Sequence, residues 1–306
     1  MIWQDNGQIF STKEYGISFA KSPQALVFDD FIRIYFSACK PDGAKLISYV
    51  CYIDYNIKQN KVLNFSDKVI DDGLLGCFDE HGIFPFSPVR IDNEIFAYTS
   101  GMSRRVSVSV DTGIGLAVSK DNGKTFKRMG NGPVLTSSLH EPFLVMDGFV
   151  KKYDNTLHMW YIFGEKWKIF EGNAYPERVY KIGHAMSNDG INWQKTNKQI
   201  IKSKYEDEAQ ALPTVAKFND KYHMMFCTRD ANDFRTNHAR SYKLGYATSN
   251  DLKNWQRNDS LAFASSGKWA SEMACYPNLF EFEKKLYLLY NGNEFGKHGF
   301  GLAQLK

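Results

Sequence analysis

The chain has 306 residues, enough for a large core, with a formal net charge of +4 and 15% aromatic residues. So small a charge excess, with Lys and Arg scattered among Asp and Glu, excludes the basic stripe of a nucleic-acid binder. No apolar run reaches the roughly 20 residues that cross a bilayer, and the N-terminal MIWQDNGQIFSTKEYG lacks the basic-then-apolar pattern of a secretory leader.

The first strand-like stretch is GQIFS at 7–11. Apolar, aromatic-rich segments then recur as IRIYFSA from Ile32, EIFAYTS from Glu94, LHMWYIF from Leu157, YHMMFCT from Tyr222 and LYLLYNG from Leu286. Their central residues Ile34, Phe96, Met159, Met224 and Leu288 are spaced by 62, 63, 65 and 64 residues, so five near-equal periods fill the chain. In phase with them run GIGLAVSKDNGKTF (113–126), KIGHAMSNDGINW (181–193), LGYATSNDLKNW (244–255) and a shortened GFGLAQL (299–305). The first three read as strand, tight turn, strand, with Phe126, Trp193 and Trp255 as buried anchors. Asp121, Asp189 and Asp251 are therefore turn residues rather than catalytic acids, because the turn recurs where no single site would use every copy.

Aromatic and β-branched side chains favour pleated sheet, and no long amphipathic helical run interrupts the repeats. A period near 64 exceeds the about 40–50 residues of a typical propeller blade, a difference that loops supply. The sequence thus predicts an all-β chain, a single domain over 1–306 built as a five-bladed β-propeller. The last repeat stops one strand short after GFGLAQL, and the N-terminal strand at 7–11 is expected to join that blade and close the ring.

Residues 80–85 read EHGIFP, 208–213 EAQALP and 272–277 EMACYP. Glu80, Glu208 and Glu272 each lie 16 residues before an aligned centre, and Pro85, Pro213 and Pro277 lie 11 before. Blade 1 keeps Pro23 but has Ser18 in the glutamate place. Blade 3 has Gly148 in the proline place, Phe143 in the glutamate place, and Glu141 two residues upstream. The first strand of a propeller blade lines the central channel, so equal phase predicts Glu80, Glu208 and Glu272 around one mouth, with Glu141, Asp79 and Asp207 nearby. The alternative is that the glutamate ties down the start of each inner strand. Clustered carboxylates raise one another's pKa at a cost in stability, which favours the functional reading.

The SNDGINW and SNDLKNW turns, the acid-then-apolar blade openings and the closing NGNEFGKHGFGLAQL resemble the five-bladed propeller glycosidases. This superfamily holds family 43 arabinanases and xylosidases and family 32 invertases, and the chain looks nearest to an uncharacterised bacterial branch of it. The resemblance implies a base or nucleophile Asp from blade 1, an orienting Asp from blade 2 and an acid Glu from blade 3. Asp79 and Glu80 match the second, and Glu141 in HEPF matches the third. Blade 1 departs from the pattern, with Ser18, Lys21 and Ser22 where the Asp belongs.

Glycoside hydrolysis needs two carboxyls flanking the bond. The expected catalytic group is therefore a pair drawn from Glu141, Glu80, Asp79, Glu208 and Glu272. His81, His140, Arg229, Arg33, Trp269, Tyr276, Asn293 and His298 are the expected substrate-binding side chains. Cys39, Cys51, Cys77, Cys227 and Cys275 are odd in number, widely spaced and without a metal-binding pattern. They fit reduced thiols in a cytoplasmic protein with no metal or other cofactor. The resulting expectation is a glycoside hydrolase-like enzyme acting on an intracellular oligosaccharide or activated sugar. The alternative is a carbohydrate-binding or polysaccharide-biosynthesis protein on the same scaffold, without hydrolysis. In both, the partner is a carbohydrate or sugar-containing small molecule, not nucleic acid or membrane.

Overall fold

The apolar repeats form twenty strands grouped into five four-stranded antiparallel sheets, in a computed structural model that describes residues 2–306. Blade 1 holds β2 (Ser18–Val27), β3 (Ile32–Asp42), β4 (Lys45–Asn56) and β5 (Lys61–Ser66). Blade 2 holds β6 (Ile83–Ile91), β7 (Glu94–Arg104), β8 (Val110–Ser119) and β9 (Lys127–Arg128). Blade 3 holds β10 (Val145–Tyr153), β11 (Thr156–Lys168), β12 (Glu177–Ser187) and β13 (Gln194–Lys195). Blade 4 holds β14 (Glu208–Phe218), β15 (Lys221–Asp230), β16 (Lys243–Ser249) and β17 (Gln256–Arg257). Blade 5 holds β18 (Cys275–Phe282), β19 (Lys285–Asn291) and β20 (Gly299–Leu305), completed by β1 (Trp3–Ser11).

The inner strands β2, β6, β10, β14 and β18 touch in that order and β18 returns to β2, so the sheets close into a ring. The ring is sealed as the sequence predicts: β1 pairs antiparallel with β20, from Trp3 opposite Leu305 to Ser11 opposite Gly299. Sealing with the chain's own first strand covers the edge that β20 would otherwise present to solvent. The core lies between blades. One cluster joins Ile162 of blade 3, Phe226 of blade 4 and Tyr290 of blade 5, all essentially without exposure. No helix among the described residues is long and apolar enough to cross a membrane.

Each inner strand is broken by a β-bulge at the same phase. Pairing slips between Lys21 and Gln24, Ile83 and Phe86, Met146 and Phe149, Ala211 and Thr214, and Cys275 and Asn278. The residue before the repeated proline or glycine is Ser22, Asp147, Leu212 or Tyr276, and all four have positive φ, between 46° and 61°. In blade 2 that place belongs to Phe84, joined to Pro85 by a cis peptide bond. A bulge re-aims a side chain that a regular strand would point elsewhere. The freed N–H groups find neighbouring-blade partners: Ser22 N–H donates to Asn291 Oδ1 at 2.8 Å, and Asp147 N–H to Ser100 Oγ at 2.8 Å.

Candidate active site at the axial mouth

Three acids at the blade openings, Glu208, Glu141 and Asp79, are held by bases on the outer strand of the same blade rather than by one another. Glu208 is fully buried and meets the Arg257 guanidinium of β17, with Nη2 at 2.6 Å from Oε1 and Nη1 at 3.0 Å from Oε2. Glu141 is buried, accepts from Tyr161 Oη at 2.8 Å and lies 2.6 Å from Lys195 Nζ on β13. Asp79 is buried and accepts from Arg128 Nε on β9 at 2.7 Å. Arg128, Lys195 and Arg257 each stand two residues after the anchoring aromatics Phe126, Trp193 and Trp255. The same acid–base clasp therefore recurs in three consecutive blades. For these three acids the geometry departs from the expected carboxylate ring, because a buried carboxylate is tolerated only when paired and hydrogen-bonded.

The other two expected acids are not joined to that set. Glu80 accepts from the Gly76 N–H at 2.9 Å and sits 3.3 Å from His81 Nδ1, which ties it into its own loop. Glu272 is half exposed and 3.2 Å from His238 Nδ1. Among the described residues, no group of three or more His, Cys, Asp or Glu side chains is placed to hold a metal ion.

The expected binding residues divide in the same way. His81 accepts from the Arg104 N–H at 3.3 Å, and His140 is exposed. Arg33 lies at the start of β3, opposite Leu26 near the end of β2 and so away from the inner-strand starts. It is buried there against Asp54, 2.7 Å from Nε, and donates to the carbonyl of Asn122 in the blade-2 turn. That makes it a structural pair rather than a mouth residue. Trp269 stacks on Tyr290 inside blade 5 with ring centroids 5.1 Å apart. Asn293 Oδ1 accepts from the Glu272 and Met273 N–H groups, and His298 Nε2 lies 2.7 Å from Glu294. Both hold loops together.

Two expected residues, Tyr276 and Arg229, come together through Tyr242. Tyr276, the bulge residue of blade 5, touches Phe84, the bulge residue of blade 2, edge-on with centroids 5.2 Å apart. These blades are not neighbours in the ring, so the contact crosses the channel and makes an aromatic floor to its mouth. Tyr242 packs on Tyr276 and is hydrogen-bonded to Tyr180, hydroxyl to hydroxyl, at 2.7 Å. Arg229 is buried beside them. Its Nε donates to Tyr180 Oη at 3.0 Å, and its guanidinium lies over Phe234 with Cζ 3.7 Å from the ring centroid. Lys21 Nζ stands 4.9 Å from the Phe84 ring centroid.

Asp147 is the carboxyl that reading the sequence missed. It is the bulge residue of blade 3 and is buried, with φ 61°. Its Oδ2 accepts from the Leu212 N–H of the next inner strand at 3.0 Å, while Oδ1 has no partner. Burial pushes its pKa up to about 7, against the pull of the Leu212 N–H and the Arg178 charge. A half-satisfied, neutral carboxyl on a channel-lining strand is able to donate a proton near neutral pH. The available signal was phase: Asp147 directly precedes Gly148, the residue in the repeated proline place. A cleft of about 740 Å³ opens elsewhere, at turns of blades 2 and 3 lined by Asp121 and Asp189. Those carboxylates are occupied: Asp189 Oδ1 accepts from Ile191 and Asn192 N–H groups, and Asp121 from Thr125.

No protein-family model matches the chain. The uncharacterised protein Rv1502 of Mycobacterium tuberculosis (strain ATCC 25618 / H37Rv) is 30% identical over 315 aligned positions, covering 100% of both chains. A β-1,2-mannobiose phosphorylase of Thermoanaerobacter sp. (strain X514) is 30% identical over 141 residues, 42% of this chain and 44% of its own. Among solved structures, a thermostable family-43 glycoside hydrolase superimposes with a TM-score of 0.67 at 15% identity, covering 94% of this chain and 88% of that one. The Bombyx mori family-32 β-fructofuranosidase BmSUC1 gives 0.61 at 12% identity, covering 94% and 60%.

Proposed function

We propose, for a chain that belongs to one family with the uncharacterised mycobacterial protein Rv1502 and has the five-bladed propeller of family 43 and 32 glycoside hydrolases, that it cleaves or transfers a glycosidic bond at the axial mouth. The observation that carries this reading is Asp147. It is a buried carboxyl with one oxygen unpartnered, kept protonated to about pH 7 near Cys227, whose Sγ accepts from the Tyr276 N–H at 3.0 Å. Its role is to protonate the leaving oxygen. Phe84 and Tyr276 offer apolar surface for a sugar ring, and Tyr180, Tyr242 and Arg229 offer hydrogen-bonding groups beside it.

The clasped acids bear on the acceptor. Asp79, Glu141 and Glu208, the buried acids expected to act as base or nucleophile, are committed to ion pairs. Hydrolysis by the usual carboxyl pair is therefore less well supported than transfer to an acceptor that brings its own nucleophile. The partial likeness to a phosphorylase supports the same choice. The test is a mass-spectrometric turnover screen of oligosaccharides and activated sugars, run with and without inorganic phosphate, on the wild type and Asp147→Asn. Product from the wild type that disappears in a folded Asp147→Asn supports the reading, and equal turnover by both proteins defeats it.

The second reading is carbohydrate binding without turnover, and the same clasps favour it. Saturable sugar binding with no product under any acceptor would select it.

A further inference from the structure

Several cations at the blade openings have carboxylate partners. Arg104 lies 2.6 Å from Asp42, Lys166 and Lys168 lie 2.7 and 2.5 Å from Asp207, and Lys195 lies 2.6 Å from Glu141. Lys21, Arg178 and Arg229 break this pattern. Among the described residues, no carboxylate oxygen lies within 4.0 Å of Lys21, Arg178 or Arg229. Arg229 has neutral partners, namely two tyrosine hydroxyls and the carbonyls of Asp230 and Arg178. Arg178 donates from Nη1 to Ser109 Oγ at 2.9 Å, and its buried Nε has no partner. Lys21 Nζ reaches only Ser48 Oγ, at 3.4 Å.

The backbone singles out Lys21. Pairing between β2 and β3 slips on both sides of it, between Ser18 and Lys21 and again between Lys21 and Gln24. Phe19 and Ser22 flank it with φ of 65° and 52°. Left-handed backbone at a bulky aromatic costs energy and persists only where the surroundings over-determine it. The result places the ammonium over the rings of Phe19 and Phe84, 5.5 and 4.9 Å from their centroids. Aromatic faces hold a cation while leaving its hydrogen-bond donors free for a ligand.

We propose that Lys21 anchors a phosphate-class oxyanion at the axial mouth. This rests on the axial mouth being the site, as proposed above, and names the anion that site takes. A half-buried ammonium with no carboxylate partner favours a dianion over a single carboxylate, because the second charge strengthens the attraction where water is scarce. The phosphate has two possible sources: an inorganic phosphate co-substrate, or a phosphate ester on the sugar itself. In the first case a phosphate oxygen bonds to the anomeric carbon as the glycosidic C–O bond breaks. The Asp147 proton then goes to the leaving oxygen.

The experiment is calorimetric titration of the full chain with inorganic phosphate, a hexose 1-phosphate and glucuronate, at low and high salt. Binding of phosphate or the hexose 1-phosphate is expected, weakened tenfold or more in Lys21→Met, retained in Lys21→Arg and unchanged in Lys40→Met. Lys40 is a suitable control because it is exposed and paired with Asp72. A second measurement needs no variant: the bound anion should protect Lys21 from chemical acetylation, read by mass spectrometry. Binding of inorganic phosphate selects the co-substrate, and binding of the ester alone selects the phosphorylated sugar. The proposal is overturned if neither binds, if Lys21→Met binds as tightly as the wild type, if Lys21 is unprotected, or if glucuronate binds as well as phosphate. Failure of the chemistry looks different: anion binding without any turnover defeats the enzyme reading and leaves this site standing. Turnover lost in Asp147→Asn without anion binding defeats this site alone.

Discussion

Glu208 and Arg257 meet in a two-pronged ion pair at 2.6 and 3.0 Å, at the inner and outer strands of one blade, and Arg257 also donates to Asp259 at 2.8 Å. The pair spans the whole sheet, with the guanidinium crossing the face of Phe226. Removing one partner leaves a buried charge uncompensated, which costs on the order of 3–5 kcal/mol. Arg257→Met is expected to lower the unfolding free energy, measured in urea, by that much. The double variant Arg257→Met with Glu208→Gln should recover part of the loss. A double variant no better than the single one would mean that Arg257 acts through its packing on Phe226 instead.

Asp147 makes stability depend on pH in a direction opposite to that of an ion-paired carboxylate. The folded chain keeps its proton to about pH 7, whereas the unfolded chain releases it near the ordinary value of 3.8. Between those values unfolding releases a proton, so stability is greatest below pH 4 and falls as pH rises toward 7. The gap corresponds to on the order of 4 kcal/mol. Asp147→Asn keeps an oxygen for the Leu212 N–H and should be more stable than the wild type at pH 8. The difference should vanish near pH 4, as measured by denaturant unfolding across that range.

The same carboxyl sets the expected pH–rate profile. If Asp147 donates the proton, turnover falls as pH rises through about 7. A profile flat from pH 6 to pH 9 on a substrate with a poor leaving group would remove Asp147 from the chemistry.

Phe84 is only partly buried, and its contact with Tyr276 crosses the open mouth. Phe84→Ala is expected to weaken carbohydrate binding about tenfold, roughly 1.4 kcal/mol, while the ring still folds. Unchanged affinity in a titration would show that sugars do not use this floor.

The seal of blade 5 depends on β1, whose loss would expose the length of β20. Deleting residues 2–11 is expected to give aggregation or a strongly lowered melting temperature, because an unpaired edge strand invites pairing between chains. A monomeric truncation melting like the wild type would contradict this.

Much of the architecture was legible because it is periodic. The recurrence at Ile34, Phe96, Met159, Met224 and Leu288 marks the second strand of every blade, since buried strands need apolar residues whatever their neighbours are. The missing final strand and the spare GQIFS pointed to the closure for the same reason. Phase also located the inner-strand starts: Glu208 opens β14, while Glu80 and Glu272 lie in the loops three residues before β6 and β18.

Partnership was not legible. Glu208 and Arg257 are 49 residues apart, and nothing in either segment says that the guanidinium reaches back across its own blade. Asp147 reads in sequence as an ordinary acid before a glycine. Its meaning comes from a bulge that turns it toward the axis and from the burial that holds its proton. The sequence by itself determined the repeat, the fold class and the closing strand, because local pattern and burial set those. Only the tertiary structure decided which carboxylates are neutralised by bases and which buried carboxyl keeps an oxygen without a partner. Electrostatic pairing depends on distances between segments that the chain brings together only when the ring is closed.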